Sequence, residues 1–369
     1  GASSWLGVVL AGTAALFARP LLDLLNAPAD VAPLAATLLV AMAPAMLLDS
    51  WNASMGAVMR SHLRTRDTLM VMVAMHSTHL LLVGPLMFGL GHWSGLGLPG
   101  FALALVLARS LAVVLHRWLW IVRLQLRPAL HDLWRLPRAE LRAIARIGLP
   151  GAAENLGWRL AFMVSIAVVS GLGPQALATH AYVHQVMIVI LLFGLATGLS
   201  AEVLVGHQIG AGHFHAAYRL VARSLGLGIA VSFCVALAAA LAGPRLLRLF
   251  TQDPAILAQG ATLLWLTVLL EPGRTFNLVV INALRAAGDA RFPVMAGSAS
   301  LLVVLAGGSW LLGSDAGLGL GLPGVWMAYI ADEWLRGLIM WRRWARHGWV
   351  RHARATHRRV SRARRLTAA

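Results

Sequence analysis

Ten ionisable side chains lie inside or beside long apolar stretches of this sequence. A charge is expensive in hydrocarbon, so such a residue usually faces a cavity or an opposite charge. Carboxylates in that setting bind protons or cations such as Na⁺, and arginines neutralise them. The ten residues are Asp49, Glu154, Glu202, Glu271, Asp332, Glu333, Arg109, Arg159, Arg274 and Arg336. Their types predict reversible ion binding rather than a catalytic reaction.

The spacing of these residues indicates which of them could neutralise one another within a helix. Glu271 and Arg274 are three residues apart and would share one helix face. Arg336 lies three residues after Glu333 and four after Asp332. We expect Arg336 to serve only one of these two acids well, so the other needs a partner elsewhere. The alternative to ion binding is the same in each case: a structural salt bridge that only lowers the cost of inserting a charged helix into the membrane.

Glu154 has no partner of opposite charge at helical spacing. Arg159 lies five residues on, about 140° away around a helix. A carboxylate of this kind at membrane depth is a candidate for exchanging a proton or Na⁺ against a cationic compound. We expect Glu154 and Glu271 to face a cavity between the two lobes of the protein. The predicted ion-coupling residues are Glu154, Glu271, Arg274, Asn277 and Asp332.

The elements that must hold these residues are membrane-spanning helices. Hydrophobic residues make up 59% of the chain and charged residues 12%, whereas soluble domains carry about 25% charged residues. Apolar stretches long enough to cross a hydrocarbon core of about 30 Å occur ten times. They lie at 3–25, 33–58, 68–91, 99–121, 147–170, 183–206, 224–242, 256–284, 293–313 and 322–341. The sequence therefore predicts an all-α polytopic membrane protein.

The arginines predict the orientation of these helices. All 31 basic residues are arginine, and the net charge is +17. With the linker 122–146 placed in the cytoplasm, three arginines lie outside and four within or near the spans, which leaves 24 of the 31 inside. The positive-inside rule accounts for this asymmetry, so the charge indicates topology and not nucleic-acid binding. We expect the basic tail to lie against anionic headgroups, and Arg285 and Arg291 to hold the turn between them there.

An internal repeat of about 225 residues duplicates the helical unit. Residues 19–70 align with residues 244–295, so that Asn52 falls on Asn277, and the string GLPG recurs at equivalent places. Two copies of one multi-helix unit are typical of secondary transporters. Because residues 141–225 have no counterpart in the first copy, we expect an N-terminally truncated first lobe that lacks two helices.

The predicted organisation is two parallel six-helix lobes related by an axis along the membrane normal. The first lobe retains four helices. The boundaries are 1–121 for the truncated first lobe, 122–146 for the cytoplasmic linker, 147–344 for the second lobe and 345–369 for the basic cytoplasmic tail.

Several strings resemble motifs of the bacterial multidrug and toxin extrusion (MATE) transporters. EPGRTFNLVVINALRAAGDARFPV at 271–294 looks like the family's tenth span and following loop. LVGHQIGAGHFHAA at 204–217 is similar to the loop after the eighth span. IGLPGAAENLGWRL at 147–160 resembles the start of the seventh span, and GVWMAYIADEWLRGLIMWRRW at 324–344 resembles the last span.

The resemblance implies a MATE-like fold and a cation-coupled antiporter, driven by Na⁺ or H⁺. Such a protein exports organic compounds, cationic ones among them, across the bacterial inner membrane by alternating access. The resemblance also implies a monomer in the lipid bilayer with no cofactor beyond the coupling ion. It places coupling acids in the seventh and tenth spans. The family's seventh-span acid lies about one turn deeper than Glu154, near Gly157 and Trp158.

Two other functions stay open. A flippase of a lipid-linked or polar compound, from the same superfamily, would expose basic residues to the headgroup layer, whereas an exporter of cations would present an acidic, aromatic cavity. Trp158, Met187 and Trp265 are candidates for lining such a cavity or for core packing. A non-transporting membrane protein is disfavoured by the repeat. An enzyme is not expected, since the chain has no lysine for a nucleotide-binding loop and only Cys234 as a thiol.

Overall fold

The computed structural model describes residues 1–24, 32–136 and 138–368. The described chain is helical apart from turns, short loops and one isolated bridge between Leu90 and Trp93. The predicted all-α class is therefore confirmed. The chain divides into two compact units, Gly1–Arg142 and Ala143–Ala369.

Among its described residues, the first unit contains five complete helices and the first turn of the next one. Their bounds are α1 Ala2–Leu16, α2 Ala18–Leu24, α3 Ala32–Ser61, α4 Thr65–Phe88 and α5 Leu98–Arg123. A short 3₁₀ turn, Leu130–Leu133, follows α5. The small residues of α5 give this unit much of its core, because Ala104, Ala108 and Ala112 are almost fully buried.

The second unit contains the remaining helices. Their bounds are α6 Arg138–Gly171, α7 Pro174–Gly210, α8 Phe214–Leu241, α9 Gly243–Leu247, α10 Pro254–Ala286, α11 Arg291–Ser300, α12 Gly308–Gly313, α13 Gly321–Ala345 and α14 Val350–Ala368. A π-helical segment, Leu301–Gly307, joins α11 to α12 without a break. Helix α6 begins at Arg138 and not near residue 147, so the last part of the predicted linker is helical.

The lengths and compositions of the helices support eight of the ten predicted spans. These are α3, α4, α5, Gly151–Gly171 of α6, α7, α8, α10 and the continuous stretch Arg291–Gly313. Helix α1 is apolar but has only 15 residues, which cover about 22 Å. Helix α13 has 25 residues but carries Asp332, Glu333 and Arg336 at its centre. These two are the predicted spans that length and composition alone do not support.

The helix bounds follow the internal repeat. A shift of 225 residues moves α3 onto α10 and α4 onto Arg291–Gly313, with ends that agree within a few residues. At a shift of 224, the value that aligns the two GLPG strings, α5 falls on α13. The repeat found in the sequence is therefore a repeat of helices as well.

Helix α10 is the central element of the second unit. It starts at the N-cap Asp253, whose carboxylate accepts hydrogen bonds from the N–H groups of Ala255 and Ile256. From there α10 packs against α7, α8 and α13. Gly194 and Gly198 of α7 allow the close approach to α10. A Cβ added at Gly194 would lie 2.6 Å from Thr275 Oγ1, and one added at Gly198 would lie 2.9 Å from Asn282 Nδ2. Small residues let helix backbones approach one another in a membrane. Their effect here is to place α10 between three neighbours.

Candidate functional site

Glu333 is the centre of a buried ionic network between α10 and α13. Arg274 Nε donates to Glu333 Oε1 over 3.3 Å, and Asn277 Nδ2 donates to Glu333 Oε2 over 2.9 Å. Arg274 Nη1 also lies 2.6 Å from Glu271 Oε1, which is the i, i+3 pair that the spacing predicts. Arg274 is thus shared between an acid of its own helix and an acid of α13.

Arg336 contacts both acids that precede it on α13. Its Nη2 is 2.6 Å from Asp332 Oδ2 and 3.1 Å from Glu333 Oε2. The expectation that Arg336 would serve only one acid is wrong, because its guanidinium lies between the two carboxylates. Ser300 Oγ donates to Asp332 Oδ1 over 2.6 Å. This bond ties the network to the residue that precedes the π-helical segment.

Glu154 is paired with an arginine far away in the sequence. Arg285 Nη2 lies 2.6 Å from Glu154 Oε2, and Arg285 Nη1 donates to Asn282 Oδ1 over 3.3 Å. One expectation is confirmed and one is wrong. Glu154 has no partner at helical spacing, and its ion pair is made across helices. Arg285 contacts Glu154 from the end of α10, so the expectation that it holds a turn at the headgroups is wrong. Arg159 lies on the exposed surface of α6.

A cavity of about 420 Å³ lies within the second unit, beside these charges. Six charged residues line it: Glu154, Asp332, Glu333, Arg274, Arg285 and Arg336. Asn277 lines it too. Glu271 is not among the lining residues, and its exposed fraction is only 1%. Glu271 therefore contacts Arg274 without lining this cavity. That Glu271 faces a cavity between the two lobes stays a prediction.

The network has one carboxylate more than it has guanidinium groups. Counted with the Glu154–Arg285 pair, which lines the same cavity, its four acids are Glu154, Glu271, Asp332 and Glu333, and its three arginines are Arg274, Arg285 and Arg336. With every group in its usual ionised form, one negative charge has no counterion among them. A proton or a cation at the cavity wall would restore neutrality. The carbonyl oxygen Oδ1 of Asn277 is buried without a hydrogen-bond partner in the described chain, and such oxygens are ligands for hard cations.

Much of the remaining cavity lining is aromatic and apolar. Trp158 and Phe162 of α6 stack with ring centroids 5.2 Å apart. Both line the cavity with Met187 of α7 and Tyr329 of α13. Of the alternatives that the sequence left open, Trp158 lines this cavity, and Met187 both lines it and packs in the core. Trp265 does not line it and is half exposed.

The other predicted residues lie elsewhere. Asp49 and Arg109 form an ion pair of 2.6 Å in the first unit. Glu202 is half-buried on α7 and does not line the cavity. His184 does line the cavity, and its ring stacks on that of His180 at 5.8 Å. No three His, Cys, Asp or Glu side chains among the described residues are grouped as metal ligands. The central role of Glu333 could have been suspected from its position three residues before Arg336.

Comparisons with known proteins agree with this architecture. A family model described as MatE matches residues 150–310. The uncharacterized transporter YisQ of Bacillus subtilis (strain 168) is 32% identical over 349 residues, which are 95% of this chain and 76% of that protein. The probable multidrug resistance protein NorM of Aromatoleum aromaticum is 27% identical over 320 residues, 83% of this chain and 68% of that protein.

Solved structures show the same fold at low sequence identity. A crystal structure of MATE in the bent conformation has a TM-score of 0.79 and 18% identity, and covers 96% of this chain and 77% of that chain. The eukaryotic MATE transporter AtDTX14 has a TM-score of 0.82 and 16% identity, and covers 97% and 80% of the two chains. The transporter names and the apolar helices also make the chain a multi-pass protein of the inner membrane. By its relatives, its repeat and its fold, the chain belongs to the MATE family of bacterial transporters.

Proposed function

We propose that this protein exports organic compounds, cationic ones among them, in exchange for Na⁺ or H⁺. The proposed ion-coupling residues are Glu154, Glu271, Arg274, Asn277 and Asp332. We add Glu333 to them because it contacts Arg274, Asn277 and Arg336. Relatives named as multidrug resistance proteins support the export of xenobiotics. The single observation that carries the proposal is the excess carboxylate in a buried network beside an aromatic cavity.

One excess charge gives a simple basis for exchange. A proton or Na⁺ in the network neutralises the charge that would attract a cationic compound into the cavity. Binding of the ion then weakens binding of the compound, and binding of the compound weakens binding of the ion. The size of this effect is the coupling free energy between the two ligands. Glu271 acts through Arg274, since the guanidinium that neutralises Glu271 also contacts Glu333. Protonation of either acid would release Arg274 toward the other.

The aromatic wall supports an organic cation over a lipid-linked compound. Pockets for drug-sized ligands are mostly apolar with a few polar groups that fix orientation. Aromatic faces such as that of Trp158 also attract cations directly. A flippase would instead need excess basic residues along the path of a phosphate headgroup. Here the arginines that line the cavity are matched one for one by carboxylates, and Glu271 behind them adds one further acid.

Transport by the purified chain in proteoliposomes tests the proposal. We expect efflux of a fluorescent organic cation to be driven by an imposed Na⁺ or H⁺ gradient and to stop when an ionophore collapses that gradient alone. A matched control is Asp253→Asn, which removes one carboxylate at an exposed N-cap far from the network while keeping a good capping residue. Efflux that persists with both gradients collapsed would contradict coupled exchange.

A further inference from the structure

The C-terminal helix α14 is docked on the second unit by one of its faces. Trp349, just before α14, is buried and stacks on Trp344 with ring centroids 4.2 Å apart. Ala353 is fully buried in the same core. His357 Nδ1 is 3.0 Å from the carbonyl oxygen of Gly210, the last residue of α7. The helix therefore has a defined orientation and is not a free tail.

A buried ion pair fixes the start of this segment. Asp289, in the turn between α10 and α11, is almost fully buried. Its carboxylate accepts a hydrogen bond of 2.9 Å from Arg343 Nε, near the end of α13. His352 Nδ1 of α14 lies 3.8 Å from the same carboxylate oxygen. The segment after α13 is thus held against the turn between α10 and α11 as well as the end of α7.

The opposite face of α14 carries an arginine stripe, which we define as Arg351, Arg354 and Arg358. All three side chains are exposed. Their spacing of three and four residues places them on one face of a helix, and the docked Ala353 is about 160° away from Arg351 around the helix axis. The sequence contains no acidic residue after Glu333. No acid within the segment itself can therefore neutralise the stripe.

The docking contacts also determine where the stripe lies. Gly210 and Asp289 belong to the two connections that the arginine distribution places in the cytoplasm. The stripe is therefore on the side of the membrane where anionic lipids give the surface a negative potential. Clusters of arginine immediately after a transmembrane helix are attracted to such a surface. A helix held rigidly by its other face also loses little conformational freedom when it binds there.

We propose that the arginine stripe of α14 binds anionic phospholipid headgroups of the cytoplasmic leaflet. The occupant is a membrane surface and not a nucleic acid, because the stripe extends from the last membrane helix and is fixed to connections at the membrane boundary. The docked face then links the lipid surface to the ends of α7, α10 and α13.

Site-specific fluorescence on the whole chain in nanodiscs tests this. Cys234→Ala removes the native thiol, and Ala355→Cys places a bimane label on an exposed position beside the stripe. Quenching by a lipid with a nitroxide headgroup is measured in phosphatidylcholine discs with increasing phosphatidylglycerol. We expect quenching to rise with the anionic fraction and to fall at high salt, because salt screens exposed charges.

Two charge-matched variants make the test specific. Arg351→Gln with Arg354→Gln should lower the equilibrium constant for contact by roughly five-fold per arginine. Arg245→Gln with Arg248→Gln removes equal charge from exposed positions near α9 and should leave the titration unchanged. No dependence on phosphatidylglycerol in the parent protein would overturn the proposal. So would equal quenching in the stripe variant, or a response to added oligonucleotide with none to anionic lipid. The salt dependence of the parent protein decides the matter if the stripe variant does not fold.

Discussion

Asp49 and Arg109 form an ion pair at the positions that the internal repeat equates with Arg274 and Glu333, which also form an ion pair. A shift of 225 carries Asp49 to Arg274, and the shift of 224 that aligns the GLPG strings carries Arg109 to Glu333. The pair joins α3 to α5 in the first unit and α10 to α13 in the second. The link has been kept in both copies while its charges have been exchanged.

The repeat-related asparagines show the same correspondence. Asn52 Nδ2 donates to the carbonyl oxygen of Arg109 over 3.1 Å, and Asn277 Nδ2 donates to the carboxylate of Glu333. Each amide therefore bonds to the residue that its own copy uses in the ion pair. Both copies of the repeat therefore have a polar contact between the same two helices at equivalent positions.

The exchanged charges predict that the first pair can be reversed. Asp49→Arg alone would place two guanidiniums together and should lower the melting temperature of the purified protein by several degrees. For a chain this large, that shift corresponds to a loss of about 1–2 kcal/mol in the free energy of unfolding. Asp49→Arg combined with Arg109→Glu should restore most of the loss. Thermal unfolding of both variants checks this. A double variant no more stable than the single one would show that the two positions are not energetically coupled.

Arg274 should matter more for stability than Glu271. Arg274→Gln leaves Glu271 and Glu333 facing each other without their shared cation, and breaking a buried ion pair in this way costs about 3–5 kcal/mol. Glu271→Gln leaves Arg274 with Glu333, so the expected loss is smaller. Thermal unfolding followed by size-exclusion profiles compares the two. Equal destabilisation would mean that Glu333 does not compensate for the missing acid.

Ion coupling should depend on Glu154 and Glu271 without either being needed for insertion. Glu154→Gln and Glu271→Gln keep side-chain size but remove charge, and each should reduce gradient-driven efflux by roughly tenfold or more. Expression should stay normal, since Arg285 retains Asn282 and Arg274 retains Glu333. Proteoliposome transport with the Asp253→Asn control measures this. Unchanged efflux in both variants would show that Glu154 and Glu271 are structural, and that ion coupling depends on Asp332 or Glu333 instead.

The topology gives a prediction that is independent of activity. On a Cys234→Ala background, a cysteine at position 360 should be protected from an impermeant thiol reagent in intact cells, because the tail is predicted to be cytoplasmic. Ser94→Cys, in the exposed turn between α4 and α5, should react from outside. Lysed cells provide the control for accessibility of both. Labelling of position 360 in intact cells would show that the tail lies outside the cell and that the predicted orientation is wrong.

The apolar stretches by themselves determined that this chain crosses the membrane as helices. In hydrocarbon every backbone polar group must be satisfied within its own segment, so span position is a local property that a sequence shows directly. The repeat predicted the order of those helices. The short-range pair Glu271–Arg274 was equally readable, because residues three apart on one helix are neighbours whatever surrounds them.

Only the tertiary structure decided how the charges are shared. Glu154 and Arg285 are 131 residues apart, and Ser300 meets Asp332 on another helix. Those contacts depend on which faces of α6, α10, α11 and α13 meet. That choice is made by close packing around α10, where the absence of a side chain at Gly194 lets α7 approach. Side-chain spacing within a helix carries no information about a neighbouring helix. The sequence therefore showed no local partner for Glu154 and could not name the partner that Glu154 has on another helix.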